Sequence, residues 1–327
     1  MSPTSFAVIG TGAVGGFYGA RLQKAGFEVH FLLRRDYDWV TNHGLVVHSP
    51  AGNFQLQSVK AYQTVEAMPA CDVILVALKT TNNELLPTLL PPLLRPHSRI
   101  VVLQNGLGNE AAIAQSLHAS GHKEPYTLVG GLCFLCSNKL QPGVIEHLDY
   151  GLINLGQHGA DERPVGITPV LQQLEHDFSH ADIDIKLSAN LQQERWKKLI
   201  WNIPFNGLSV LLNAQTNELM NDGPTVPLVK ALMQEIVDTA ARYRCDIPNS
   251  FLEYMLELTT RMQPYRTSMK LDFDARQEME VETMFGNPLR AARSVGVSTP
   301  KLEMLYQQLR FLNGRIKASV DVHNYAS

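Results

Sequence analysis

Within ERWKKLIWNIPFNGL (194–208), Lys198, Asn202 and Asn206 recur at four-residue intervals. On a helix that spacing puts one ammonium and two amides on roughly one face. An ordinary lysine, with a pKa of about 10.4, is charged at neutral pH and can both stabilise and protonate an oxygen that is gaining negative charge. Amides can accept from and donate to hydroxyl or carboxylate oxygens without adding charge. A plain alternative is that Lys198 pairs with Glu194, one turn earlier, on a solvated face. The flanking Trp201, Ile203 and Phe205 leave little width for such a face, so a stripe lining a cleft accounts better for the pattern. The neighbouring Lys197 points about 100° away from it.

A second group of residues could hold a ligand by its phosphates. Phe6–Ile9 is a short apolar run, and Gly10-Thr11-Gly12-Ala13-Val14-Gly15 follows at once. A helix is expected over Gly16–Ala25 and a second strand over Phe27–Leu33. In this β–turn–α–β arrangement Gly10 permits the tight turn, Gly12 lets backbone approach a pyrophosphate, and Gly15 lets the helix pack on the strand. The helix N-terminus offers free N–H groups and the positive end of its dipole. The motif's place between strand and helix makes a dinucleotide site the expectation. The second strand runs into Leu33-Arg34-Arg35-Asp36. An Arg here suits a 2′-phosphate, which favours NADP(H). The competing reading makes both arginines ordinary loop cations and Asp36 the ribose ligand of NAD.

The elements that must position these groups follow from the hydrophobic pattern. Strands are expected at Asp72–Leu78 and Arg99–Leu103, with a hairpin from Leu45–His48 to Phe54–Val59. Later strands are expected at Thr127–Phe134, Gly151–Leu155 and Asp184–Leu187. Ligands of an open parallel sheet bind outside the carboxyl ends of its strands. Lys79 and Asn105 stand at two such ends, although a solvent-reaching lysine and a turn-forming asparagine are the bland alternatives. Beyond Ser188 the periodicity turns helical, over about 190–220, 225–244, 248–263, 274–293 and 299–318. Pro204 should kink the first of these helices near Ile200. The expected organisation is an α/β, Rossmann-type domain over 1–188, an all-helical domain over 189–327, and a ligand cleft between them.

Composition bounds the function. The 327 residues carry 45% hydrophobic and 18% charged side chains with a net charge of −3, which permits a large core and implies no nucleic-acid or membrane electrostatics. The run LLPTLLPPLLRP (85–96) is too broken by proline to span a bilayer, and MSPTS (1–5) does not read as a signal peptide. The cytosol is the default compartment. Four cysteines make no disulfide framework in a chain this long. Cys133 and Cys136 form a C-x-x-C on an expected strand, which reads as structural thiols, and neither they nor the scattered histidines give a metal-ligand spacing.

Two residues are ambiguous unaided. Glu280 lies among Glu278 and Glu282 on what could be a solvated acidic face, and Ser268 could cap a helix. At this point the chain resembles the ketopantoate reductases over nearly its whole length. The resemblance rests on the glycine motif with its following Arg, VALK (76–79), QNGLGNE (104–110), the Lys–Asn–Asn stripe, TSMKLD (267–272), EVETMFG (280–286) and GVSTP (296–300). It implies Lys198 as catalytic lysine and Asn202, Asn206 and Ser268 as substrate-binding residues. It further implies Glu280 as a residue helping to hold substrate or cofactor, Lys79 and Asn105 at the nicotinamide and substrate end, and Arg34 at the 2′-phosphate. The implied reaction is NADPH-dependent reduction of 2-dehydropantoate, a small 2-oxo acid. Gly207 departs from the proline that some members carry at that place. The alternatives are a reductase of another small 2-oxo acid or ketone, and a non-catalytic NADP(H)-sensing module, which would turn over no ketone. A homodimer is left open, since the terminal helix could pack within the chain or on a partner.

Overall fold

The computed structural model describes residues 4–325. They form two compact units, one of residues up to Gln104 together with Asn109–Gln192, the other of Asn105–Gly108 together with Gln193 onward. The sequence places the divide near 188 and gives no sign that the short loop 105–108 groups with the helical unit.

The first unit is a ten-stranded sheet. Its strands are β1 (Ser5–Ile9), β2 (Glu28–Leu32), β3 (Leu45–His48), β4 (Phe54–Leu56), β5 (Lys60–Tyr62), β6 (Val73–Val76), β7 (Ser98–Val102), β8 (Tyr126–Gln141), β9 (Val144–Gln157) and β10 (Ile185–Ser188). The order is β4-β3-β9-β8-β7-β6-β1-β2-β5, with β10 beside β9. From β8 to β5 all neighbours are parallel. Such strands are covered on both faces, which explains their unbroken apolar runs. Phe6 and Val8 of β1 pack with Val73 and Leu75 of β6 on one face, whereas Ala7, Ile9, Ile74 and Val76 pack on the other. The helices are α1 (Ala13–Lys24), α2 (Tyr37–His43), α3 (Leu86–Leu89), α4 (Asn109–Ala119) and α5 (Pro169–His180).

Two strands exceed their expected lengths. β8 and β9 form one long antiparallel hairpin through residues 142–143, with register shifts along it. Its outer part, SNKLQPGVIEHLDY (137–150), mixes exposed residues with buried Val144, Ile145 and His147 and carries register shifts, so no regular alternation marks it. The three-residue β5 lies outside the expected strands as well. Cys133 and Cys136 lie on β8 as half-buried thiols outside any disulfide.

The second unit contains α6 (Leu191–Leu211), α7 (Thr216–Asn221), α8 (Thr225–Arg242), α9 (Asn249–Arg261), α10 (Ser268–Asp274), α11 (Asn287–Ser294) and α12 (Pro300–Tyr325). α6 buries Trp196, Leu199, Ile200, Ile203, Phe205 and Leu208 in the unit's core. It remains helical through Pro204, although Pro204 offers no N–H to the Ile200 carbonyl. Gly207 is a close-packing site, because a Cβ there would lie 2.7 Å from Leu305 Cδ2. The single helix expected over 274–293 is broken at residues 275–280 and is continuous only from Val281 on. α10 ends at Asp274, Arg276 takes φ 51°, a π-helical turn covers Glu282–Gly286, and Pro288 helps start α11. Periodicity alone could not show this break, because buried Met279, Val281, Met284 and Phe285 keep a helix-like spacing across it.

Candidate active site

In the first unit the three glycines separate by what surrounds them. Gly10 has φ 97°, and a Cβ there would lie 2.2 Å from the Leu78 nitrogen, so β1 can turn beside the end of β6 only as glycine. A Cβ on Gly15 would lie 2.3 Å from the Gly10 carbonyl oxygen, so α1 packs directly on the turn. Gly12 meets nothing within 4 Å, and as N-cap of α1 it offers no side-chain acceptor. The first N–H groups of α1, at Ala13, Val14 and Gly15, are thus uncapped by any side chain of the N-cap residue, the arrangement that suits an anion at a helix start. The Thr11 hydroxyl donates to the Leu32 carbonyl at 3.0 Å and ties the turn to the end of β2.

The cofactor expectation can be tested on the chain beyond β2. Arg34 and Arg35 are exposed. Asp36 is 7% exposed, and its Oδ2 accepts the Gly143 N–H at 3.1 Å and pairs with Lys139. The carboxylate that would serve a ribose diol is therefore engaged elsewhere, while the arginines are available. This fits a 2′-phosphate better than a bare ribose.

Lys79 is half-buried, three residues past β6, at the cap of a short 3-10 turn. The Gln104 amide Nε2 donates to Leu78 O at 2.8 Å and to Asn83 Oδ1 at 2.7 Å, bracing the ends of β6 and β7. Asn83 carries no sequence signal, and Gln104 enters only as the first residue of the QNGLGNE motif. Tyr18 of α1 has its ionisation pushed well up, by burial first and by the neighbouring Cys133 thiol second.

In the second unit the polar stripe of α6 is not solvated. Lys198 is half-buried, and Asn202 and Asn206 are 6% and 2% exposed. The two amides differ in use. Asn206 Nδ2 donates to Asn202 O at 3.1 Å, while its Oδ1 accepts from Met269 N–H at 3.2 Å and Ser268 Oγ at 3.4 Å. It fastens α6 to the start of α10. Thr267, not Ser268, caps α10, accepting the Lys270 N–H, and Ser268 is exposed. Lys197 pairs with Glu194 at 2.7 Å and lies over the Phe251 ring.

Asn105 is half-buried on the loop that belongs to this unit. Leu107 N–H donates to Thr283 O at 2.9 Å, and Asn287 Nδ2 donates to Leu107 O at 2.6 Å. A Cβ on Gly106 would lie 2.7 Å from the Thr283 backbone. The π-helical turn and the start of α11 therefore hold the asparagine's loop, a role that no sequence pattern assigns. Exposure does not separate Glu280 from Glu278, since both are half-buried. Of the two acidic neighbours, Glu278 pairs with Lys317, and Glu282 accepts from Tyr306 and Arg290.

Residues 6–160 match the family described as "Ketopantoate reductase PanE/ApbA", and residues 190–313 its C-terminal counterpart. A "2-dehydropantoate 2-reductase" of Nostoc sp. is 52% identical over 96% of this chain and 97% of its own. Among solved structures, a 2-dehydropantoate 2-reductase from Geobacter metallireducens is 37% identical, with a TM-score of 0.87 over 94% of this chain and 99% of that one. Another from Methylococcus capsulatus is 32% identical, with a TM-score of 0.85 over 95% and 97%. With matches over both halves and a relative 52% identical along nearly the whole length, the chain belongs to the ketopantoate reductase family.

Proposed function

We propose that this protein reduces 2-dehydropantoate to pantoate with NADPH, a step of pantothenate and coenzyme A biosynthesis. The observation that carries the chemistry is the α6 stripe, where a half-buried ammonium is followed by two buried amides. Bound NADPH supplies the hydride. As the ketone carbon gains it, negative charge builds on the carbonyl oxygen, and Lys198 meets that charge and delivers the proton. A partly dry setting strengthens the electrostatic part of this work. Lys198 is then reprotonated from solvent.

Asn202, whose carbonyl is used by Asn206, keeps its side-chain amide as the substrate contact in this reading. Asn206 acts chiefly by holding Ser268, whose hydroxyl serves a substrate oxygen. Asn105 and Glu280 complete the substrate set, and Glu280 also serves the cofactor. Lys79 stands at the nicotinamide end, Arg34 at the 2′-phosphate, and the glycine turn 10–15 at the pyrophosphate. The enzyme is cytosolic in this account. The exposed Met304 and Phe311 of α12, two turns apart, are the face a homodimer would cover.

The test is NADPH oxidation followed at 2-dehydropantoate and at two or three other 2-oxo acids. The highest kcat/KM is expected with 2-dehydropantoate. A clear preference for another 2-oxo acid would reassign the substrate, and turnover of none would end the enzymatic reading.

A further inference from the structure

The tip of the β8–β9 hairpin closes on the segment that follows β2. Gly143, with φ 68°, is the last residue of the turn. A Cβ there would lie 2.3 Å from the Trp39 ring, so only glycine can bring this N–H down to Asp36. Asp36 precedes α2, which carries Trp39. The Lys139 ammonium pairs with the same carboxylate oxygen that accepts the Gly143 N–H. It also lies 3.5 Å from the carbonyl oxygen of Thr11, in the glycine turn itself. The hairpin thus places a cation between the phosphate cradle and the nearest carboxylate after β2.

That position matters for cofactor choice. A free carboxylate at the end of β2 does two things in a dinucleotide site: it accepts from ribose hydroxyls, favouring NAD(H), and it repels the dianionic 2′-phosphate of NADP(H). In this chain the carboxylate is buried, charge-paired and bonded to a backbone N–H, leaving the exposed Arg34 and Arg35 to set the local potential.

We propose that Lys139 is a specificity-determining residue that acts through Asp36: by sequestering and neutralising that carboxylate it keeps the end of β2 fit for a 2′-phosphate. Lys139 is a positioning residue in this scheme, and the inference rests on the NADPH reading above.

The experiment is a cycle of four proteins, wild type, Lys139→Met, Asp36→Asn and the double variant, each titrated with NADPH and with NADH at one salt concentration. Lys139→Met should weaken NADPH binding roughly ten-fold, the size of one partly screened charge interaction, and leave NADH binding unchanged or tighter. In the Asp36→Asn background the same change should be nearly silent, because no carboxylate remains to be released. Lys139→Arg, which keeps the pair, should retain the wild-type preference. If Lys139→Met weakens NADPH ten-fold even in the Asp36→Asn background, or weakens both cofactors alike, the proposal is overturned. Should Lys139→Met fold poorly, Lys139→Gln takes its corner of the cycle, and a ten-fold loss of NADPH affinity between Asp36→Asn and the double variant would by itself overturn the proposal. A wild type that prefers NADH would instead defeat the NADPH reading, so the two failures are distinct.

Discussion

The glycine turn after β1 and the polar stripe of α6 solve different problems with different parts of the chain. The turn offers backbone: N–H groups at a helix start, made accessible because one glycine has nothing near it and two others are packed too closely for any side chain. The stripe offers side chains, and their worth depends on how much water and how many partners surround them. A backbone site is specified by what must be absent from the sequence, a side-chain site by what tertiary structure brings beside it.

The comparison can be broken at four points. The largest effect is expected from Lys198→Ala, which should lower kcat about 10²–10⁴-fold, roughly 3–5 kcal/mol, with the Kd for NADPH unchanged. Near-wild-type turnover in that variant would remove the stripe from the chemistry.

The turn is sharpened by a pair. Gly10→Ala forces a left-handed φ and a backbone clash, and should cost roughly 3 kcal/mol or more in denaturant unfolding. Gly12→Ala should melt close to wild type, since its φ of −90° and ψ of −153° suit any residue. It should nevertheless bind NADPH roughly ten-fold or more weakly, about 1.4 kcal/mol. Equal melting losses in the two would mean that the space at Gly12 is not reserved for a ligand.

Asn206→Ala comes next. It strips the buried Met269 N–H of its acceptor and should destabilise the protein by about 1–3 kcal/mol. KM for the 2-oxo acid should rise with it, through the loosened Ser268, while NADPH affinity holds. Smallest is Lys197→Ala. Loss of its pair with Glu194 should cost about 0.5 kcal/mol or less, and kcat should stay within roughly three-fold. A large fall in kcat would move the catalytic role from Lys198 to its neighbour.

Legibility followed the same division. The turn's glycine roles were readable because each glycine answers a local demand: φ, open approach or close packing. The stripe's spacing was readable as one helical face, but that its two amides divide their work was not. Asn206 is tied to residues 62 and 63 positions away, and no local pattern encodes such a partner. The helix expected over 274–293 failed for a related reason, because the core asks for apolar residues at similar intervals on both sides of the break. The outer β8–β9 hairpin was missed because its register shifts break the regular alternation that would mark a strand.

By itself, then, the sequence determined the order of the elements, the glycine turn after β1, the cation-bearing loop after β2 and the placing of one lysine with two amides on a common helix face. These depend on short-range sterics and hydrophobic period, which the chain carries within a few residues. Only tertiary structure decided that Asp36 is withdrawn by Lys139 and Gly143, that Asn206 braces Ser268, and that the π-helical turn at Glu282–Gly286 holds the loop of Asn105. Each of those rests on groups that are distant in sequence, and hydrogen bonds and ion pairs act over a few ångströms of space, however many residues of chain lie between.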